Sequence, residues 1–293
     1  MKVLIVGAAG QLGQAMTSRL RDQHVVTAWT RQDIDLTRHQ DVREAIGELA
    51  PQAIVNCASF NQVDAAEDEQ VTALEVNALV VGTLARAAAA VDAVFMHYST
   101  DFVFSGTAQT PYSETDRPEP RSVYAQSKLI GEWLAADAPK HYVLRVESLF
   151  GGPHRRSSVD RIVDLVRQGQ AAPVFVDRVV SPSFVVDVAD ASAFVLDSQP
   201  EPGLYHCVNS GHATWLSVGR EIVGLIGGSD ASLKAVSVND VKLRAVRPQF
   251  AALNNAKLAN VGYKMPTWQD AIGRYLNLLS PLFSPSGREK MGD

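Results

Sequence analysis

Short apolar and β-branched runs alternate with longer stretches of helical period over the first 150 residues. The runs "KVLIV" at 2–6, "HVVTAW" at 24–29, "AIVNCA" at 53–58, "VFMHYS" at 94–99 and "HYVLRV" at 141–146 have the length and residue types of buried strands. Between them the pattern predicts helices over 11–21, 38–49, 69–91 and 122–136, the third rich in helix-favouring Ala and Leu. A strand followed by a helix, repeated, winds a parallel sheet, so the expected fold class is α/β, a Rossmann-type doubly wound parallel sheet.

Beyond "GGPHRRSS" at 151–158 the pattern loosens. It predicts helices over 158–168 and 187–198 and a strand at "PVFVD", 173–177. The last hundred residues carry more Pro and Gly punctuation, as in "PEPGLYHCVNSGHATW", and suit a smaller C-terminal substrate-binding lobe over the carboxyl edge of the sheet. The expected division is residues 1–150 for the nucleotide-binding domain and mainly 151–293 for a discontinuous second lobe, with segments near 172–198 returning to the first. The terminal "LFSPSGREKMGD" reads as frayed.

Composition narrows the function. With 46% hydrophobic and 20% charged residues the chain can bury a large core, and its net charge of −5 offers no general attraction to nucleic acid or an anionic membrane. The apolar run after Met1 is too short for a signal peptide, and no run reaches the eighteen or so uncharged apolar residues of a membrane span, so a cytoplasmic protein is expected. Cys57 and Cys207 form no CxxC pair and the seven histidines no HExxH spacing, so no metal site is expected.

Chemistry enters at "VGAAGQLGQ", where Gly7, Gly10 and Gly13 lie between the first strand and first helix. Glycine there permits a tight turn, lets a pyrophosphate approach the backbone and allows close helix-strand packing, while the helix start at Gln11 and Leu12 attracts phosphate. The second strand leaves through Thr30 and Arg31 ahead of Asp33 and Asp35. A cation at that point suits a ribose 2′-phosphate, which favours NADPH, with NADH still open.

The fourth strand delivers Ser99, Thr100 and Asp101 to the sheet edge where ligands bind in such folds. Tyr124 and Lys128, four apart, share one face of the following helix. Reducing a ketone with a nicotinamide hydride needs a proton donor at the carbonyl oxygen, and a phenol can serve. The expectation is that the Lys128 ammonium lowers the Tyr124 pKa; three units correspond to roughly 4 kcal/mol. Thr100 would polarise the substrate oxygen.

Taken with "IVNCASFNQVDAAEDE", "HYSTDFVFSGTAQTPYSETDRPEPRSVYAQSKLIGE", "GLYHCVNSGHATW" and "RPQFAALNNAKL", these motifs resemble the dTDP-4-dehydrorhamnose reductase family of the extended short-chain dehydrogenase/reductase superfamily over nearly the whole chain. The resemblance implies Thr100, Tyr124 and Lys128 as catalytic triad. It places Cys57, Ala58 and Ser59 beside the adenine-ribose half of the cofactor, Asp35 and Leu36 near the adenine, and Asn77 in support of the site. A loop or capping carboxylate is the alternative for Asp35. The implied reaction is NAD(P)H-dependent reduction of the 4-keto group of a dTDP-linked 6-deoxyhexulose.

Two departures stand out. Where the family often reads "RTSWVYG", this chain has "RVESLFGG", with Ser148 replacing the aromatic residue expected near the sugar. In some members magnesium joins two subunits through a glutamate just beyond the glycine loop; Ala15 stands there, which argues for a monomer or weak homodimer without a metal bridge. Ser99, Asp101 and Ser148 are expected at the substrate. Arg247 is either a diphosphate ligand or an anchor for the C-terminal segment, and Trp215 either core or sugar platform. Two rival functions remain: another nucleotide-sugar reductase or epimerase, such as one forming a 6-deoxytalose, and a non-catalytic dinucleotide-binding regulatory subunit. Dehydration is disfavoured, because Phe102 stands where an Asp-Glu pair would need its second acid.

Overall fold

The computed structural model describes residues 1–279; the 282–293 tail lies outside them. Six strands form one fully parallel sheet: β1 (Lys2–Val6), β2 (Val25–Trp29), β3 (Ala53–Asn56), β4 (Val94–Thr100), β5 (His141–Val146) and β7 (Gly203–His206), in the order β7-β5-β4-β3-β1-β2. Successive residues of β1 enter opposite cores. Val3 and Ile5 pack in one apolar cluster, Leu4 and Val6 in the other. A parallel strand covered on both faces must be apolar throughout, which is why these strands read as runs and not as alternation.

Helices α1 (Gln11–Leu20) and α6 (Val185–Ser198) cover the first face. The second is covered by α2 (His39–Leu49) and by the carboxyl half of α3 (Gln70–Ala90). The chain order reverses between β1 and β3, and a ligand cleft is expected at that switch point, outside the carboxyl ends of the strands. Helix α3 has the length and hydropathy of a membrane span, but 61% of its apolar window is buried, as in a core helix. It is not uniform: Glu75–Leu79 form a π-turn, a feature often found beside functional sites.

The region after residue 150 is interwoven with the sheet. Helix α5 (Ser158–Arg167) begins with a Ser157–Asp160 capping box. The strand expected at 173–177 is β6 (Ala172–Phe175), and it pairs with β8 (Leu233–Val236) instead of joining the main sheet. Within the 172–198 stretch, α6 lies against α1 on the first face of the sheet, and Ala172, Val174, Val180 and Phe184 join the same apolar cluster. Strand β7 extends the main sheet at β5, which the expected boundary at residue 150 did not anticipate.

Candidate active site

The glycine loop shows three distinct local reasons for its glycines. Gly7 has φ +77°, and a Cβ there would lie 2.6 Å from the Ala58 nitrogen. At Gly13 a Cβ would meet the Gly7 carbonyl oxygen at 2.3 Å and the Ala8 Cα at 2.8 Å, so α1 can approach β1 only without one. Gly10 is less confined: the closest atom to its would-be Cβ is the Gly7 oxygen at 3.3 Å. Turn, packing and open approach thus fall to different residues. Gly10 caps α1 without a side-chain bond, and the first N–H groups of the helix, at Gln11, Leu12 and Gly13, have no intrahelical acceptor. The Leu12 side chain is in the core, so only its backbone is available to a ligand. Gln11 Nε2 is buried with no hydrogen-bond partner, an orphan donor next to these N–H groups.

At the end of β2 the two acids serve their own loops. Asp33 accepts from the Thr30 N–H and hydroxyl at 2.8 and 2.7 Å, and Asp35 from those of Thr37 at 3.0 and 2.8 Å. These bonds pull both carboxyls below their ordinary values, so the loop-carboxylate alternative holds for Asp35. Arg31 is exposed, and no hydrogen bond or ion pair engages it among the described residues. Leu36 packs partly buried on the second core. A loop with an open glycine, an orphan amide and a free guanidinium at the ribose end fits a 2′-phosphorylated dinucleotide.

Across the switch point, Cys57 and Ala58 follow β3. The Ala58 N–H donates to Asn56 Oδ1 at 3.0 Å, and burial pushes the Cys57 thiol far up. Asn77 lies in the π-turn and is fully buried. Its Oδ1 accepts from Ser59 Oγ at 3.2 Å and Phe60 N at 2.8 Å, while its Nδ2 donates to Ser127 Oγ at 3.0 Å. Asn77 therefore ties the β3 exit loop to the next helix, through bonds that engage both ends of its amide.

That helix, α4 (Val123–Ala135), begins with Ser122 accepting from the Ala125 N–H. It carries Tyr124, Lys128 and Glu132 at four-residue intervals, one face descending into the protein. Gly131 permits the close approach, since a Cβ would lie 2.2 Å from the Asn77 carbonyl oxygen. Tyr124 meets the Phe102 ring edge-on at 5.6 Å between centroids. Lys128 is 2% exposed; its ammonium donates to the Tyr98 carbonyl at 2.6 Å and lies 3.3 Å from His97 Nε2. Burial brings its pKa down to about 8, against the upward pull of Glu132 and Cys57.

The tuning of Tyr124 differs from expectation. Burial and the Asp101 charge push its phenol above the ordinary value, and a hydrogen bond with Thr100 offsets only part of that. With its ammonium directed at the Tyr98 carbonyl, Lys128 does not produce the depressed phenol expected from spacing alone. A raised phenol is held in its protonated, donor form at neutral pH.

Ser99 also departs from the reading. Alternation along β4 sends it to the face opposite Thr100, where its hydroxyl bonds Glu132 Oε1 at 2.5 Å. Arg145 closes that network, holding Glu132 through Nε at 2.8 Å and Nη2 at 2.7 Å. Ser99 is thus a buried structural hydroxyl and not a substrate contact. The Thr100 hydroxyl donates to Asp101 Oδ1 at 2.9 Å.

Glu147, unnoticed in the sequence, lies beside this group. Thr100 pairs with Val146 in the β4–β5 register, so Asp101 and Glu147 leave their strands side by side. Both are buried. Burial raises the Asp101 carboxyl to about 7 and, with the Asp101 charge, carries Glu147 well above the carboxylate range; the Arg178 guanidinium opposes both shifts. Two buried carboxyls so coupled retain a proton at neutral pH. A carboxylic acid one residue past an apolar strand, at the ligand-binding edge, was the available signal. Ser148 follows in the left-handed region at φ +45°, and its carbonyl accepts from the Ser183 N–H at 3.3 Å.

Arg247 is engaged by Asp64 through both terminal nitrogens, at 2.9 and 2.7 Å. Together with Arg244 on Asp68 it fastens the C-terminal segment to the loop after β3, as its anchoring alternative required. Trp215 starts α7 (Trp215–Leu225) inside the first core.

A parallel sheet with a glycine loop at its switch point and a Thr-Tyr-Lys group at its carboxyl edge defines a dinucleotide-binding protein of the short-chain dehydrogenase/reductase class. Residues 1–280 match the RmlD substrate binding domain family; the chain belongs to that family. It is 31% identical to the dTDP-4-dehydrorhamnose reductase of Mycolicibacterium smegmatis, over 92% of this chain and 84% of that protein. The crystal structure of a dTDP-4-dehydrorhamnose reductase from Clostridium acetobutylicum superposes with a TM-score of 0.90 at 31% identity, covering 95% of this chain and 99% of that one. The Bacillus anthracis dTDP-4-dehydrorhamnose reductase, solved in complex with NADP, gives a TM-score of 0.89 at 26% identity, with 94% and 99% covered.

Proposed function

We propose that this protein is an NADPH-dependent reductase of a nucleotide-linked 4-keto-6-deoxy sugar, converting dTDP-4-dehydrorhamnose to dTDP-L-rhamnose in the cytoplasm. The observation that carries the reading is the convergence of Thr100, Tyr124 and Lys128 on the sheet edge that also bears the glycine loop. The reductases to which the chain is similar, one of them solved with NADP, support the substrate and cofactor.

NADPH, when bound, supplies the hydride. Gly7, Gly10 and the helix start at Gln11 to Gly13 would hold its pyrophosphate, Arg31 its 2′-phosphate, and Lys128 its nicotinamide ribose. The chain's own part in the reaction is to place the ketone and complete the alcohol. Thr100 holds the carbonyl oxygen, and Tyr124, kept protonated by burial and by Asp101, gives that oxygen its proton. The phenolate left behind takes a proton back from solvent. No metal takes part, and the protein acts as a monomer or weak homodimer, Ala15 standing where a bridging glutamate would be required.

The test is to generate the keto sugar enzymatically, add the protein with NADPH or NADH, and assign the C4 configuration of the product by NMR. A rhamno product confirms the reading, and a talo product reassigns the stereochemistry. NADPH bound without turnover leaves a regulatory subunit. Tyr124→Phe is expected to lower kcat by about 10²- to 10⁴-fold with little change in NADPH affinity; undiminished turnover would refute the mechanism.

A further inference from the structure

Glu147 is 2% exposed, yet the fold satisfies only half of its carboxyl. Oε2 accepts from the Ser181 N–H at 2.7 Å, whereas Oε1 is buried without a hydrogen-bond partner. Such an orphan is costly and calls for a reason. The reason is not a buried ion pair, because Arg178 donates its Nε–H to the Pro248 carbonyl at 3.3 Å and reaches Glu147 only through its charge. Glu147 also stands level with Asp101 and Thr100 at the ends of adjacent strands. The turn after it is held by Ser148 in the left-handed region, a conformation unfavourable for a residue other than glycine. Orphaned polar groups and local strain kept together beside a reaction centre point to a ligand that completes them.

The ligand group follows from the substrate proposed above, on which this inference rests. With Thr100 and Tyr124 on the C4 oxygen, the flanking carbons are C5, which bears a methyl group, and C3, which bears a hydroxyl. The methyl cannot hydrogen-bond and the ring oxygen on C5 can only accept, so the C3 hydroxyl is the flanking group able to donate to Oε1. We propose that Glu147 is a specificity-determining residue whose Oε1 hydrogen-bonds the C3 hydroxyl of the sugar and so fixes which way the ring lies under the hydride donor. The carboxyl pair it forms with Asp101, holding a proton, can both donate to and accept from that hydroxyl.

The experiment compares the unaltered protein, Glu147→Ala and Glu147→Gln on the dTDP-linked 4-keto-6-deoxy sugar and on its 3-deoxy analogue, with NADPH affinity and circular dichroism measured in parallel. On the parent sugar Glu147→Ala should lose about 10- to 100-fold in kcat/KM, mostly through KM, and Glu147→Gln should recover most of it. On the 3-deoxy analogue all three proteins should be equally poor. A loss of the same factor on both sugars, or no loss on either, overturns the inference and leaves the reductase reading intact. Should Glu147→Ala fail to fold, the unaltered protein decides: equal turnover of the two sugars overturns the contact, and discrimination of about 10-fold or more supports it. If the unaltered protein binds NADPH and reduces neither sugar, the functional reading falls and the inference falls with it.

Discussion

Replacing Glu132 with alanine tests whether the catalytic helix is set by a charge pair two turns below Tyr124. Glu132 and Arg145 have side chains only 7% and 2% exposed, and they meet through two parallel N–H···O bonds, with Ser99 as a third partner. Without the carboxylate, the guanidinium keeps only His206 Nε2 at 3.4 Å and the Phe104 ring at 4.8 Å. Breaking a buried pair from one side costs about 3–5 kcal/mol, because an uncompensated charge remains. At roughly 2–4 °C per kcal/mol for a chain of this size, the midpoint should fall by about 6–20 °C. Thermal unfolding followed by circular dichroism measures the shift, and urea unfolding followed by tryptophan fluorescence measures the free energy. A Glu132→Met, Arg145→Met double variant should recover most of the loss, since both charges then leave together. A single variant less than about 1 kcal/mol weaker would show that the pair does not hold the helix, and that another contact aligns Tyr124 and Lys128.

Three further outcomes are expected. Gly13→Ala drives a Cβ to 2.3 Å from the Gly7 oxygen and should abolish NADPH binding by fluorescence titration, whereas Gly10→Ala, 3.3 Å from its closest atom, should fold normally and weaken binding only. Arg31→Ala should raise KM for NADPH about 10-fold and leave KM for NADH unchanged, as loss of a charge-assisted phosphate contact requires. Lys128 acts as a cation, so kcat/KM should fall as pH rises through about 8, where its folded-state pKa lies, and Lys128→Arg should remove that limb. The linked stability has a definite sign: between about 8 and its ordinary value of 10.5 the unfolded chain binds the extra proton, so stability relative to Lys128→Met should rise with pH across that window.

The sheet was legible because every buried parallel strand must be an apolar run, and the glycine loop because backbone geometry at Gly7 and Gly13 excludes a Cβ. Tyr124 and Lys128 were legible as a pair through helical spacing, but not their electrostatics, since the groups acting on the phenol arrive from β4. Ser99 was misplaced against a signal that was present: consecutive residues of a strand cannot both face one ligand. Arg247 could not be paired with Asp64 from sequence, their separation along the chain being 183 residues. The π-turn left no pattern in a run that reads as continuous helix, and β7 was obscured by the four-residue length of its pairing with Tyr142–Arg145.

That late strand has a consequence for how the protein is made. Until residue 206 has left the ribosome, β5 is the outer strand of an incomplete sheet, with the partner groups of residues 142–145 unmet. Open strand edges of apolar sequence recruit other chains. A fragment stopped at residue 150 keeps the glycine loop, Tyr124 and Lys128, yet it is expected to aggregate during synthesis, whereas one extended through α7 closes the edge. Solubility in a truncation series should therefore change between residues 198 and 225 and not at the boundary drawn by composition.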